Sequence, residues 1–348
     1  MLKCLKCGKT HRGFKIMCEC GGILEYIDEK SGNFNSLLKR QFLDIRRYLN
    51  FLPAKEEFLP KLTPPVTPIV EREIKGVKVF FKLDYLMPSG SFKDRGTYIT
   101  IAKLKEEGIR EVTLDSSGNA ALSLALFAKS EGIKAHLFIP EHTSEGKKRL
   151  LKLLGAEVHE IEGSRMEVHE RAKNYQGGVY ISHWYNPYFI EGTKTVAYEV
   201  YEQVGSLDYA LAPTGSGTMF LGIYKGFKDL EKLEKVGIPK MVAVQGKGYE
   251  SLCKRSAEKS QLAEGIAIPN PPRREQMTEV LKNTKGTCVS VGDEEIKNAL
   301  EELLSMGFLV EPTSAVTYAG FKALLEKEYF ERGSRVLIPL TGSGLKNI

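Results

Sequence analysis

The stretch Pro88-Ser89-Gly90-Ser91-Phe92-Lys93-Asp94-Arg95-Gly96 places a lysine between a strand-like run (77–83) and a helix-like run (97–107). Unpaired N–H groups and the positive helix end disfavour a second positive charge there, so the amine is predisposed to lose its proton. A neutral lysine amine can form a Schiff base with a carbonyl. A lone lysine at a helix start is ordinarily only solvated, but three further stretches in this chain offer ligand chemistry. Asp115-Ser116-Ser117-Gly118-Asn119 joins a strand to a helix and offers hydroxyls, an amide and helix N–H groups to a carboxylate or phosphate, although the same residue types also make a plain N-cap. Pro213-Thr214-Gly215-Ser216-Gly217-Thr218 follows a strand at 209–212 and precedes a helix beginning near Met219. Its glycines let backbone N–H groups approach an anion. The loop lacks the lysine of a P-loop and, with Phe220 in place, the last glycine of a dinucleotide fingerprint. Thr341-Gly342-Ser343-Gly344-Leu345-Lys346 follows an apolar strand at 335–340 and sets a hydroxyl at its end.

Six cysteines are present, four of them in the first twenty residues. Cys4-x-x-Cys7 and Cys18-x-Cys20 are each followed by glycine, which lets successive thiolates turn toward one metal. The second pair is one residue tighter than an ordinary knuckle. A four-thiolate Zn2+ site is the preferred reading; a ribbon without metal is the other. His11 is a further donor that four thiolates would make redundant. Cys253 and Cys288 read as buried packing residues. His136, His142, His159, His169 and His183 show no metal-ligand spacing.

The elements that must position these residues follow from periodicity. With 348 residues, 42% of them apolar and 27% charged, the chain fits two soluble domains and an appendage. The net charge of +6 is not gathered into long basic runs, which argues against nucleic acid. The start MLKCLKC has no apolar leader and no apolar run approaches membrane length, so a cytoplasmic protein is expected. An amphipathic helix is predicted over 35–52, an extended proline-rich approach over 62–68 and a strand over 77–83. Strands at 111–114, 134–139 and 157–161 alternate with helices at 120–131, 145–154 and 166–175. That rhythm predicts βαβ units and parallel twisted sheets, whose ligands lie at the carboxyl ends of strands.

A Schiff-base lysine, a phosphate cup and a strand-end hydroxyl together are the needs of pyridoxal phosphate. Over essentially its whole length the sequence resembles the fold type II (tryptophan synthase β-like) pyridoxal-phosphate enzymes. Within them it is most similar to threonine synthases with an N-terminal zinc ribbon. The segments 89–96, 116–119, 215–218, Glu311-Pro312-Thr313-Ser314-Ala315 and 341–346 carry the likeness. The resemblance implies a two-domain α/β fold: a ribbon at 1–28, a large cofactor-binding domain at 29–96 and 184–348, and a small mobile domain at 97–183. It implies that Lys93 binds the cofactor covalently and moves protons, and that Asn119 bonds the ring hydroxyl. Backbone N–H groups from Gly215 through Gly217 to Met219, with Ser216 and Thr218, would hold the phosphate, and Thr341 would meet the pyridine nitrogen. Ser89, Ser116, Ser117 and Asn186 would face substrate. A homodimer and an amino-acid substrate bearing phosphate are further expectations.

Departures bear on the substrate. Met87-Pro88-Ser89 stands where the family has Asn-Pro-Thr, and 62–69 departs from the family's lead element. In Asn186-Pro187-Tyr188-Phe189-Ile190-Glu191-Gly192-Thr193-Lys194-Thr195, Phe189 stands where the family has a phosphate-gripping arginine, a bidentate donor no phenyl ring replaces. Lys147, Lys148, Arg149 and Lys194 are candidate substitutes. O-phosphohomoserine conversion to threonine is the leading expectation. A serine or threonine dehydratase, or an O-phosphoserine-using cysteine or cysteate synthase, is the alternative, and a catalytically silent zinc-ribbon protein is the third.

Overall fold

The computed structural model describes residues 1–347. The chain opens with three short strands, β1 (Leu2–Cys4), β2 (Thr10–His11) and β3 (Leu24–Tyr26), then a one-turn helix, α1 (Phe34–Leu37). The helix predicted over 35–52 does not run through: α1 stops after Leu37 and a 3-10 segment, Ile45–Phe51, follows. Asp44 is the cause. It is extended (φ −136°) and its carboxylate accepts from the Arg46 N–H, capping a new start instead of continuing an old helix. β4 (Ile69–Ile74) and β5 (Val77–Lys82) pair antiparallel across Lys75-Gly76, whose φ values of 49° and 81° supply the primed turn that twisted hairpins need.

From Lys93 the alternation is regular: α2 (Lys93–Glu106), β6 (Glu111–Leu114), α3 (Asn119–Glu131), β7 (Lys134–Pro140), α4 (Glu145–Leu153), β8 (Glu157–Ile161), α5 (Arg165–Asn174) and β9 (Val179–Tyr180). Then come α6 (Pro187–Thr193), α7 (Thr195–Val204), β10 (Tyr209–Pro213), α8 (Thr218–Glu234), β11 (Lys240–Gly246), α9 (Arg274–Asn283), β12 (Thr287–Val291), α10 (Asp293–Ser305), α11 (Pro312–Glu326) and β13 (Arg335–Pro339). This is the mixed α/β architecture expected, and its boundaries fall within a few residues of the periodicity. No helix among the described residues is long and apolar enough to cross a membrane.

The chain divides into two compact units. The first comprises 1–29, 38–65 and 93–192. Its four parallel strands run in the order β8-β7-β6-β9. Ile99, Ile101 and Leu104 of α2 and Leu124 and Phe127 of α3 bury against Val112, Leu114, Leu137 and Ile139 of the sheet, each contributing about 1.5–3 kcal/mol. The antiparallel β2-β1-β3 sheet joins the same core through Leu2 and Leu24. Tyr188 stacks on Phe14 at 5.7 Å and donates to the Gly13 carbonyl at 2.8 Å, fastening the cysteine-bearing segment to this unit.

The second unit comprises 30–37, 66–92 and 193–348. Its sheet runs β12-β11-β10-β13-β5-β4, parallel except for the β4–β5 hairpin. Val79, Phe81, Val242, Val244 and Ile338 of the sheet pack with Ile296 of α10 and Phe321 of α11. Lys82, at the end of β5, is fully buried 2.6 Å from the equally buried Glu199. It also donates to the Thr67 carbonyl (2.6 Å) and Gln203 Oε1 (2.9 Å), so the buried charges are paired and hydrogen-bonded. Cys253 and Cys288, read from the sequence as buried packing residues, are instead half-buried and disulfide-paired, Cα–Cα 5.5 Å. The loop after β11 carries Cys253 back beside β12, a proximity no local pattern reveals.

Candidate active site

In the second unit β10, β13 and β5 are parallel neighbours, so their carboxyl ends share one edge of the sheet. Three segments meet along that edge. The first is 214–218, between β10 and α8. Thr214 is anchored on both sides, its N–H donating to the Val244 carbonyl (2.7 Å) and its hydroxyl to the Ala212 carbonyl (2.9 Å). Gly215 has no room for a side chain, since a Cβ would come within 2.7 Å of Ile266 Cα. Gly217 has φ +84°, the left-handed region. Ser216 and Thr218 are buried with hydroxyls 3.4 Å apart, at the start of a 17-residue helix. The donors are N–H and O–H groups with no carboxylate in 213–219, a set suited to a phosphate dianion.

The second segment follows β13. Thr341 is 2% exposed, with Oγ1 3.2 Å from Ser314 Oγ near the start of α11. Ser314 accepts from the Gly342 N–H at 2.7 Å. The third follows β5: Ser91 bridges Gly342, the Phe92 N–H donates to the Thr341 carbonyl (3.0 Å), and the Ser343 N–H donates to the Gly90 carbonyl (2.9 Å). Ser89 and Ser91 are buried with hydroxyls 3.4 Å apart. Lys93 is the residue immediately after Phe92, so its backbone starts at this edge.

In the first unit Lys93 begins α2 and Asn119 begins α3. One turn in, Ser123 Oγ donates to Thr97 Oγ1 at 2.8 Å, tying the two helices together. Ser116 and Ser117 are half-buried at the end of β6. Asp115 beneath them is 3% exposed and accepts from Tyr180 Oη (2.7 Å) and His169 Nδ1 (3.1 Å), with Arg165 Nη2 at 3.0 Å. Burial pushes the Asp115 carboxyl up, but the His169 hydrogen bond, the Arg165 charge and the Tyr180 hydroxyl outweigh it and hold the group below the usual carboxylate range. Asn186 is fully buried; its Nδ2 donates to Thr100 Oγ1 and its Oδ1 accepts from the Tyr188 N–H, both at 2.9 Å.

Phe189 is 3% exposed and its ring lies 5.8 Å from Lys93 Nζ. It covers Gly96, where any Cβ would run into the ring. The imidazole of His183 lies 5.5 Å from the same ring, and its Nδ1 is buried without a hydrogen-bond partner among the described residues. Burial, and then the charges of Lys93 and Arg165, push His183 well below the usual imidazole range. Of the cations suggested as substitutes for the family arginine, Lys148 is held by Glu160 (2.7 Å) and Glu145 (3.0 Å), and Lys194 by Asp229 (3.0 Å). Sequence reasoning missed Arg165, which combines a half-exposed guanidinium with a 5.6 Å approach to the Trp184 ring and a 2.5 Å bond to the Asp115 carbonyl. Its place next to the Ser116-Ser117 loop depends on β6–α5 packing that no local motif announces.

The pyridoxal-phosphate dependent enzyme family matches residues 62–342, spanning all of these segments. The chain belongs to that family. This fold type II enzyme is 31% identical over 375 residues to the threonine synthase of Methanocaldococcus jannaschii, covering 99% of this chain and 92% of that one. It is 32% identical to the threonine synthase of Halalkalibacterium halodurans, over 87% of this chain and 89% of the relative. Among solved structures, maize serine racemase superposes with a TM-score of 0.69 at 25% identity, covering 81% of this chain and 89% of that one. A threonine deaminase isoform of Solanum lycopersicum reaches a TM-score of 0.71 at 21% identity over 91% and 86%, a likeness of fold alone.

The cysteine cluster belongs to the first unit. Cys4 and Cys20 Sγ lie 3.5 Å apart and Cys7 and Cys18 Sγ 3.7 Å. A tetrahedral site with zinc–sulfur bonds of about 2.3 Å requires sulfurs about 3.8 Å apart. Gly8 and Gly21 take φ values of 74° and 75° at the two turns. The Cys7 N–H directed at its sulfur holds the Cys4 thiol down to about 6. At Cys18 the Cys20 N–H pulls downward, but burial and the neighbouring thiols push the group up to about 12. Sulfurs this crowded cannot all ionise without a cation among them.

Proposed function

We propose that this enzyme is a lyase that converts O-phospho-L-homoserine and water to L-threonine and phosphate. The observation that supports this reading is the meeting of the segment ending at Phe92, the 214–218 loop and Thr341 along one sheet edge, in a chain whose relatives over nearly its full length are threonine synthases. Pyridoxal phosphate, when bound, supplies an electron sink for charge developing at the substrate α carbon. Lys93 anchors that cofactor and removes protons in turn from the α and β carbons, returning protons at the γ and α carbons after phosphate has left the γ carbon and water has added at the β carbon. The start of α8 with Ser216 and Thr218 holds the cofactor phosphate, and Asn119 bonds the ring hydroxyl. Thr341 offers the ring nitrogen an uncharged hydroxyl whose orientation Ser314 sets. Ser116, Ser117 and the start of α3 receive the substrate carboxylate, with Ser89 lining the same site and Asn186 holding the start of α6.

In this reading Arg165 grips the substrate phosphate in place of the family arginine. Residues 97–183 act as the small domain that closes over substrate and excludes water. Cys4, Cys7, Cys18 and Cys20 hold a structural Zn2+, and the enzyme works as a cytoplasmic homodimer. Release of threonine and phosphate from O-phosphohomoserine by cofactor-loaded protein tests the assignment; intact, coloured protein that makes neither would overturn it.

Phe189 favours a second reading. A buried apolar ring 5.8 Å from Lys93 suits an amino acid without a phosphate at that position, as in deamination of serine or threonine or in β-replacement. Pyruvate or 2-oxobutyrate formed from serine or threonine, with O-phosphohomoserine inert, selects it.

A further inference from the structure

We propose a second metal site, for a divalent cation of the zinc class, formed by His136, Glu157 and His159 on one face of the β7–β8 pair. The parallel register sets His136 opposite Glu157, and His159, two residues on, faces the same way. The donor atoms converge: His136 Nδ1 lies 3.0 Å from Glu157 Oε2 and 3.1 Å from His159 Nε2. Three ligands bonded to one zinc ion at about 2.0–2.1 Å stand only slightly farther apart than this. The other edge of the His136 ring faces Glu111, Nε2 to Oε2 3.3 Å. A carboxylate behind an imidazole places the ring proton on Nε2, which turns the Nδ1 lone pair toward the two other acceptors. In that tautomer the three lone pairs converge, an arrangement that a cation bound among them would relieve.

The surroundings preorganise the group. His136 is 1% exposed. Phe138 stacks on the His159 ring at 4.5 Å, Tyr175 lies 4.9 Å from the His136 ring, and Lys134 pairs with Glu157 Oε1 at 2.9 Å, leaving Oε2 directed at the histidines. Three protein ligands leave a coordination position for water, and His159 lines an open cavity of about 990 Å³ with Phe138, Glu167, Glu170 and Tyr175. Imidazole and carboxylate donors select zinc, cobalt, nickel or copper over calcium or magnesium.

Cobalt titration of the full-length, cofactor-loaded protein tests this, because cobalt bound by thiolates and cobalt bound by imidazole and carboxylate absorb differently. The expected result is one equivalent beyond any held by the cysteines, without a thiolate band. Glu157→Gln and His159→Gln each weaken that equivalent at least tenfold while leaving the thiolate signal and turnover unchanged, and Glu111→Gln weakens it about 10–100-fold. These variants lie toward the sheet surface, so the test does not depend on replacing buried His136. No uptake beyond the cysteine cluster, or uptake indifferent to Glu157→Gln and His159→Gln, would mean that these side chains only hydrogen-bond one another, and the proposal would fall.

Discussion

The 213–219 loop and the 183–189 segment are built on opposite principles. The loop is all small residues, hydroxyls and backbone N–H groups around positive-φ Gly217. The segment holds a neutral buried imidazole, an indole and the Phe189 ring pressed on Gly96. The loop has the chemistry that a phosphate demands, and it lies within the stretch that the family matches. The segment departs from the family where substrate specificity would be decided. The two regions thus offer different chemistry: hydrogen-bond donors for an anion in the loop, and apolar contact in the segment.

The largest effect expected is from Lys93→Ala, which should lower turnover of any substrate by about 10²–10⁴-fold or more while thermal unfolding is little changed. Equal activity in that variant would overturn the role proposed for Lys93. Removing one partner of the buried pair behind β5, by Glu199→Ala, should cost about 3–5 kcal/mol in urea unfolding. Phe189→Ala should cost about the same, 3–5 kcal/mol, by opening a cavity over Gly96. Phe189→Arg sharpens the contrast directly: if the ring excludes phosphorylated substrates, kcat/KM should move about tenfold toward the phosphorylated member of a serine–phosphoserine pair, and an unchanged ratio would show that position 189 does not select. Gly217→Ala should weaken cofactor retention by about 1–3 kcal/mol through backbone strain and contact with Met277, read by dialysis against competing buffer.

The smallest effect concerns pH. Asp115 has a folded-state carboxyl below its unfolded range, so its contribution to stability is complete above the unfolded value of about 3.9 and is lost as pH falls through the folded one. Asp115→Asn should therefore flatten the acid side of a plot of Tm against pH between about 5 and 2. An unchanged acid limb would show that the His169–Tyr180–Arg165 arrangement does not depend on ionised Asp115.

Most of the framework was legible because it is local. Strand, turn and helix alternate from Lys93 to Asn174 with boundaries readable from apolar periodicity and glycine, and every loop at the sheet edge announces itself by composition. What escaped was set by register and tertiary packing. Asp44 interrupts the predicted 35–52 helix because its side chain prefers a cap to a continuing turn. His136 and His159 look unrelated at a spacing of 23, and only the β7–β8 register brings them together. Cys253 and Cys288 meet for the same kind of reason. Phe189 was visible as a departure, but its fit against Gly96 was not.

The hydrogen bonds that seat Phe92, the residue before the lysine, come from Thr341 and its neighbours, and Lys346 reaches Gly90 across 256 positions of chain. Such distant pairing is among the last to form as a polypeptide emerges and folds. A chain cut before Arg335 should therefore lose the bonds that fix the backbone at Gly90 and Phe92, whatever the rest of the sheet retains.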